Sequence, residues 1–272
     1  MKPAPFAYCR AGTLDEALDA LRTHGADARV LAGGQSLVAM LNMRLARPHV
    51  LVDIMRIGAL AEVRRAGGQL RIGAGVRQAA LLARPGLAGE APLLGLALPW
   101  VGHYQTRARG TVCGSVAHAD PSAEIPLCLL ALDGAVHLRS AAGARVIGAA
   151  DFFLGTMQTA RRDDELIEAV SLPDALSGRR CGFAEIGRRH GDFAIVAAAA
   201  VATADGVRLA IGGVADRPVL RLLPRIGGTA LDDALNDIAW SLDARADFHA
   251  DARYRRDLVR HLGRQVIGEA LA

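Results

Sequence analysis

Residues 28–41 read ARVLAGGQSLVAML, so that an apolar strand signal (Ala28–Leu31) leads through a glycine turn into a helix-like run that starts at Leu37. The two glycines leave backbone N–H groups open to a ligand, and Ser36 is a residue type that begins helices. A strand, a glycine turn and a helix N-terminus in this order can hold a phosphate group. A Gly-Gly pair after a strand is also common in turns that bind nothing. The stretch therefore predicts an α/β unit. Its turn either binds a phosphate group or only connects the strand to the helix.

A second glycine-containing stretch lies far along the chain and has a similar composition. It reads TVCGS at 111–115, and a polar segment at 103–110 that we expect to be a loop precedes it. Arg107 and Arg109 in that segment can pair with phosphates or with a partner protein, or can simply lie in a solvated basic loop. His118 follows shortly after, without a partnered nucleophile or carboxylate, and is expected to form hydrogen bonds rather than to act as a base. Two such stretches favour a shared phosphate site.

Composition excludes several classes of protein. With 51% hydrophobic and 22% charged residues over 272 positions, the chain has the balance of a globular protein. The first residues, MKPAP, lack the pattern of a secretory signal, and no apolar run is long enough for a bilayer, which predicts a cytoplasmic protein without a membrane span. The cysteines at 9, 113, 128 and 181 lack metal-ligand spacing. A net charge of +4 from scattered arginines, with 4% aromatic residues, argues against nucleic-acid binding.

The pattern along the chain predicts an α+β protein with three domains. Residues 1–56 form the first, residues 57–174 the second and residues 180–272 the third, which carries a three-stranded antiparallel sheet and two helices. Residues 173–180 are the predicted linker, because Pro, Asp, Ser and Gly cluster there.

Local signals set the ends of several helices. Thr13 and Glu16 form a capping box for the first helix. Asp120 is placed to cap a helix predicted over 121–132, with Pro121 in its first turn. A helix over 252–271 has apolar residues at helical spacing under an arginine-rich outer face.

Three motifs in order resemble those of the FAD-binding medium subunits of molybdenum hydroxylases, the family that contains xanthine dehydrogenase and carbon monoxide dehydrogenase. The first motif is LAGGQSL at 31–37, which LVDI at 51–54 follows. The second is TVCGSVAHADP at 111–121, and the third is RRHGDFA at 188–194. The resemblance covers nearly the whole chain, and three ordered motifs are more specific than any one of them.

The resemblance implies an FAD-binding half with the two-subdomain fold of the vanillyl-alcohol-oxidase (PCMH) type, followed by a flavoprotein C-terminal domain. Both glycine stretches are then expected to hold the FAD diphosphate, through backbone N–H groups and nearby hydroxyls. Asp120 would lie near the ADP part, Ile167 beside the isoalloxazine ring and Phe193 over a flavin face. No catalytic or metal-binding residue is implied in this chain. The implied cofactor-binding residues are Ala32, Gly33, Gly34, Gln35, Ser36, Thr111, Val112, Cys113, Gly114, Ser115, Asp120, Ile167 and Phe193.

The second motif departs from the family pattern at one position. Cys113 stands where the first of two glycines is usual. If that position requires a positive φ, a cysteine is strained there, although a segment that binds through its backbone can tolerate it.

The resemblance also implies a function. An FAD subunit of this family works with a large molybdenum-cofactor subunit and a small iron–sulfur subunit, expected as a dimer of heterotrimers, and passes electrons to an external acceptor. The lack of a cysteine cluster separates the chain from the benzoyl-CoA reductase relatives, whose flavin subunit carries an extra cluster. A stand-alone FAD-dependent oxidase or reductase of the same fold is the first alternative. An arginine-rich nucleic-acid-binding protein is the second.

Overall fold

The structure is a computed structural model that describes residues 2–176 and 178–272. The predicted linker at 173–180 includes Ser177, and the N-terminal segment without a signal pattern includes Met1; both residues lie outside the described part. The predicted fold class is confirmed, because helices and sheets are mixed along the described chain.

The N-terminal unit is a parallel sheet with two helices. The Thr13 hydroxyl accepts the N–H of Glu16, as the capping box predicts, and the helix ends at Gly25 with φ +49°. The glycine turn connects the second strand to the second helix, as the sequence predicts. The elements are β1 (Ala7–Arg10), α1 (Leu14–His24), β2 (Ala28–Leu31), α2 (Leu37–Asn42) and β3 (Val50–Asp53), with sheet order β1-β3-β2.

The middle unit is an antiparallel five-stranded sheet covered by short helices. Its strands are β4 (Val63–Ala66), β5 (Gln69–Gly73), β6 (Ala135–Ser140), β7 (Gly143–Gly148) and β10 (Leu166–Pro173), in the order β4-β5-β10-β6-β7, and β8 (Phe153–Gly155) and β9 (Gln158–Thr159) form a separate hairpin. Its helices are α3 (Gln78–Leu82), α4 (Leu87–Glu90), α5 (Pro92–Ala97), α6 (Tyr104–Arg109), α7 (Val112–His118), α8 (Glu124–Ala131) and α9 (Ala149–Phe152).

Two expectations for this unit were wrong. The segment predicted as a polar loop at 103–110 contains α6, which buries none of its residues and so has no apolar stripe to reveal it. The helix predicted over 121–132 begins only at Glu124. Asp120 does not cap that helix, because its carboxylate accepts the N–H of Ser122 at 2.8 Å and so closes a turn that contains Pro121.

The C-terminal unit is an antiparallel sheet covered by two long helices. This sheet has four strands, whereas the sequence predicts three. The missed strand, Val219–Pro224, lies at the edge of the sheet, and its side chains are partly or fully exposed. The elements are β11 (Cys181–Ile186), β12 (Val196–Ala202), β13 (Gly206–Gly212), β14 (Val219–Pro224), α10 (Gly228–Ser241) and α11 (Ala252–Leu271), with sheet order β11-β12-β13-β14.

Strand β12 separates two hydrophobic cores. Every one of its residues is buried. Because side chains alternate across a strand, Ala197, Ala199 and Val201 join the core shared by the first two units, whereas Val196 and Ala198 join the core under α10 and α11. Its small alanines allow α8 and α11 to pack on opposite faces. The first two units share one core, and the division into three domains stays a prediction.

Among the described residues, no helix is both long and apolar enough to cross a bilayer.

Candidate functional site

The two glycine stretches meet at Gly33. A Cβ added to this residue would lie 2.2 Å from the carbonyl oxygen of Arg109 and 2.7 Å from the Cα of Gly110. Arg109 is the last residue of α6, and Gly110 leads directly into the second stretch. Only glycine permits this approach, because real side chains do not pack at such distances from a backbone. The turn after β2 therefore lies directly against the entrance to α7.

The first stretch presents unused backbone donors. Within the described residues, the N–H groups of Gly33, Gly34, Gln35 and Ser36 donate no hydrogen bond. Gly34 has φ +72°, which L side chains rarely adopt, and the Gln35 side-chain amide donates to the Gly33 carbonyl at 3.2 Å. Backbone donors that lie unused beside a cavity can bind an anion.

The second stretch is the first turn of a helix and not an open loop. Thr111 precedes α7, and its hydroxyl oxygen accepts the N–H of Gly114 at 3.0 Å. The N–H of Ser115 donates to the Thr111 carbonyl at 3.2 Å. The expectation that Gly114 and Ser115 offer free backbone donors is therefore revised. The Ser115 hydroxyl makes no hydrogen bond among the described residues, so it remains open to a ligand.

Cys113 is not strained. It lies in the first turn of α7 and is absent from the residues with positive φ. Its side chain is buried, the thiol contacts the carbonyl of Ile72 at 3.6 Å, and burial raises the pKa of this thiol to about 12. A helical position does not require glycine, which explains why cysteine is tolerated there.

One cavity of about 610 Å³ collects nearly all the predicted site residues. This volume is in the range of small-molecule sites. Val112 is the exception, since it is buried in the core and does not line the cavity. Ile167 is buried in the wall, whereas Phe193 is 68% exposed at the edge. The residues brought together are Ala32, Gly33, Gly34, Gln35, Ser36, Thr111, Cys113, Gly114, Ser115, Asp120, Ile167 and Phe193.

Many wall residues are not among the predicted site residues, and they include Arg29, Gln78, Glu124, Met157 and Arg161. Met157 has φ +55° in the hairpin between β8 and β9, and its N–H donates to the carbonyl of Ala119. Gln78 reaches the wall through a bridge between Arg77 and Thr111. Such long-range pairings leave no local signal in the sequence. Arg29 lies two residues before the first motif and Glu124 lies three residues after the second, so proximity alone could have suggested these two.

Arg107 and His118 differ in their contacts from what the sequence predicts. One terminal nitrogen of Arg107 donates to the carbonyls of Val101 and Gly102, both at 2.9 Å. Arg107 therefore closes the turn before α6, rather than lying in solvent or facing an anion. The His118 imidazole lines the cavity but makes no hydrogen bond in the described part of the chain, so the hydrogen bonds expected of it are not formed there.

Two buried carboxyl groups interact where α8 meets the C-terminal sheet. The pKa of Glu124 is raised to about 7, chiefly by burial and in smaller part by the carboxylate of Asp120, while Arg107 opposes the shift. Burial also raises the pKa of Glu185 to about 8, with Glu124 adding to the shift. The Oε2 atom of Glu185 has no hydrogen-bond partner in the described structure. A buried carboxyl without a counter-ion favours its neutral form.

This pair predicts a stability that falls as pH rises. Both folded-state pKa values lie above the usual value of 4.5, so the native state binds more protons than the unfolded state. The free energy of unfolding should therefore decrease from about pH 5 to about pH 8 and then level off. Glu185→Gln should reduce that decrease by on the order of 2 kcal/mol. Urea denaturation of the full chain at pH 5.5 and 8.5 measures the difference.

The exposed Glu62 provides the matched control, because Glu62→Gln should leave the pH dependence unchanged. An equal pH dependence in wild type and Glu185→Gln would contradict a buried, uncompensated carboxyl at this position.

Comparison with known proteins gives a family for this arrangement. Residues 4–175 match the family described as "FAD binding domain in molybdopterin dehydrogenase". The match ends where the C-terminal sheet begins, and it contains both glycine stretches.

Individual relatives extend the similarity over the whole chain. The 6-hydroxypseudooxynicotine dehydrogenase complex subunit alpha of Paenarthrobacter nicotinovorans is 37% identical over 100% of this chain and 96% of its own. The carbon monoxide dehydrogenase medium chain of Afipia carboxidovorans is 34% identical over 100% of this chain and 99% of its own. A solved structure of carbon monoxide dehydrogenase from Hydrogenophaga pseudoflava, which lacks the Mo-pyranopterin moiety of the molybdenum cofactor, has a TM-score of 0.94 at 28% identity, covering 100% of this chain and 99% of that one.

Proposed function

Because the chain belongs to the FAD-binding-domain family of the molybdopterin dehydrogenases, we propose that it is the electron-transfer subunit of a molybdenum hydroxylase complex. Electrons would reach its FAD from iron–sulfur clusters of a partner subunit and leave to an external acceptor. The observation that carries the proposal is the convergence of both glycine stretches on one cavity, with unused N–H groups on one side.

The cavity residues suit the chemical groups of FAD. A diphosphate needs hydrogen-bond donors, and the N–H groups of residues 33–36 together with the hydroxyls of Ser36, Thr111 and Ser115 can supply them. A flavin ring needs apolar surface, which Ile167 and Phe193 can provide. Asp120 lies in the same wall and is proposed to face the ADP part.

The chain would bind, orient and shield its cofactor rather than perform acid–base chemistry. FAD, when bound, supplies the capacity to take electrons singly and release them in pairs. The turn at Gly33 and Gly34 would hold the diphosphate, and Ile167 and Phe193 would hold the flavin ring. The exposed edge at Phe193 leaves a path by which a partner or an acceptor can approach.

The names of the relatives support a multi-subunit complex. One relative is named as a subunit of a dehydrogenase complex and another as a medium chain. We accordingly assign the molybdenum cofactor to a large partner subunit and the iron–sulfur clusters to a small one, in a cytoplasmic dimer of heterotrimers.

Purification of the tagged full chain from its native host tests this assignment. Two further subunits, together with molybdenum, iron and one FAD per chain, should be recovered with it. A yellow monomer that oxidises a small substrate without other subunits would contradict the proposal and favour a stand-alone flavin oxidase or reductase. A chain free of flavin that binds DNA in a salt-sensitive manner would contradict both.

A further inference from the structure

Gln78 is a buried side chain of the cavity wall with an unused acceptor. It is the first residue of α3, and its backbone N–H donates to the carbonyl of Gly110 at 2.9 Å. The side chain is only 4% exposed, and its Nε2 donates to the carbonyl of Thr111 at 3.4 Å. Its Oε1 atom has no hydrogen-bond partner in the described structure.

The position of this oxygen is fixed by the packing around it. A Cβ built on Gly110 would lie 3.1 Å from Oε1, so the carboxamide lies flat against that glycine. The bridge between Arg77 and Thr111 holds the start of α3 next to the second motif. Gln78 therefore cannot easily turn away to find another partner.

A buried acceptor without a donor costs free energy, and native proteins rarely keep one without a reason. Because Gln78 lines the cavity, a ligand there can supply the missing donor. The ligand's diphosphate cannot, since its oxygens only accept hydrogen bonds at neutral pH. FAD carries suitable donors elsewhere: the N–H of its flavin ring, and the hydroxyls of its sugar parts.

We propose that Gln78 is a cofactor-contacting residue whose Oε1 accepts a hydrogen bond from a flavin N–H or a sugar hydroxyl of bound FAD. The inference rests on the proposed function, because it requires FAD in this cavity. It assigns to Gln78 two simultaneous tasks: Nε2 supports the backbone of the second motif, and Oε1 binds the cofactor.

Two substitutions separate these tasks. Gln78→Met keeps the length of the side chain but removes both polar groups, whereas Gln78→Glu keeps an acceptor oxygen, loses the amide donor to Thr111 and places a second carboxyl oxygen against that carbonyl. The dissociation constant of FAD for the full chain is measured by flavin fluorescence, alongside thermal unfolding. Gln265→Met, on the exposed face of α11, is the matched control.

We expect FAD binding to weaken at least tenfold in Gln78→Met, with Gln78→Glu intermediate and Gln265→Met unchanged. A shift in the visible spectrum of bound flavin in Gln78→Met would assign the donor to the ring, and an unchanged spectrum would assign it to a part of FAD outside the ring. Binding within twofold of wild type in Gln78→Met, or equal weakening in both Gln78 variants, would overturn the inference. Failure of the wild-type chain itself to bind FAD would instead contradict the proposed function.

Discussion

Gly33→Ala is expected to weaken FAD binding by about a hundredfold or more, because the added methyl group separates the two motifs that bind the diphosphate. Its Cβ would lie 2.2 Å from the Arg109 carbonyl oxygen, so the turn or the end of α6 must move. The N–H groups of residues 33–36 then lose their alignment with the hydroxyls of the second motif. FAD content per purified chain and the FAD dissociation constant measure the effect.

Gly148→Ala is the matched control for this substitution. Gly148 has φ −62°, and nothing lies within 4 Å of the place where its Cβ would stand. It should bind FAD like wild type. Hydrogen exchange in α11 should be unchanged in Gly33→Ala, since the second core lies away from the turn. Normal FAD content in Gly33→Ala would show that the close approach at Gly33 is irrelevant to the cofactor.

Arg255→Met is expected to destabilise the C-terminal unit by about 3 kcal/mol or more. Arg255 is 4% exposed, and its guanidinium donates to the carbonyls of Ile195 and Gly213 at 2.5 and 2.6 Å and to the carboxylate of Asp247 at 2.7 Å. Removal of the guanidinium leaves those acceptors without their donor. Because Ile195 follows Phe193 by two residues, the loosened segment should also carry Phe193 away from the cavity.

Arg260→Met tests the same change of side chain at a partly exposed position of α11. Among the described residues Arg260 pairs with Asp257 and Asn236 near the surface, so its loss should change stability by about 0.5 kcal/mol or less. Urea denaturation compares the two variants. Equal stability of Arg255→Met and Arg260→Met would refute the structural role assigned to the buried guanidinium.

The sequence predicts elements whose signals are local. Helix α11 has the predicted bounds because Asp251 caps it and because Leu258, Leu262 and Val266 form its buried stripe. The Thr13 cap of α1 and the strand β2 are correct for the same reason, although the Glu16 carboxylate accepts the N–H of Gly12 rather than that of Thr13. Helix α6 and strand β14 were missed since neither carries a clear pattern of buried side chains.

The candidate site is predictable in part. Motifs give the turn at Gly33 and the start of α7, because these residues are contiguous in the chain. They do not predict Gln78, which reaches the cavity through its hydrogen bond to Thr111, 33 positions away, and through the bridge between Arg77 and Thr111. Nor do they give the raised pKa of Glu124, which arises from burial in the folded chain. Whether the N–H groups of Gly114 and Ser115 are free for a ligand depends on where α7 begins. The motif alone does not show that this helix begins directly after Thr111.

The central claim is that FAD lies in this cavity with its diphosphate between the two motifs. A crystal structure of the full chain loaded with FAD tests it most directly. The account predicts diphosphate density within hydrogen-bond distance of the N–H groups of residues 33–36 and of the Ser115 hydroxyl. Diphosphate density elsewhere on the chain, with these groups facing solvent, would contradict it.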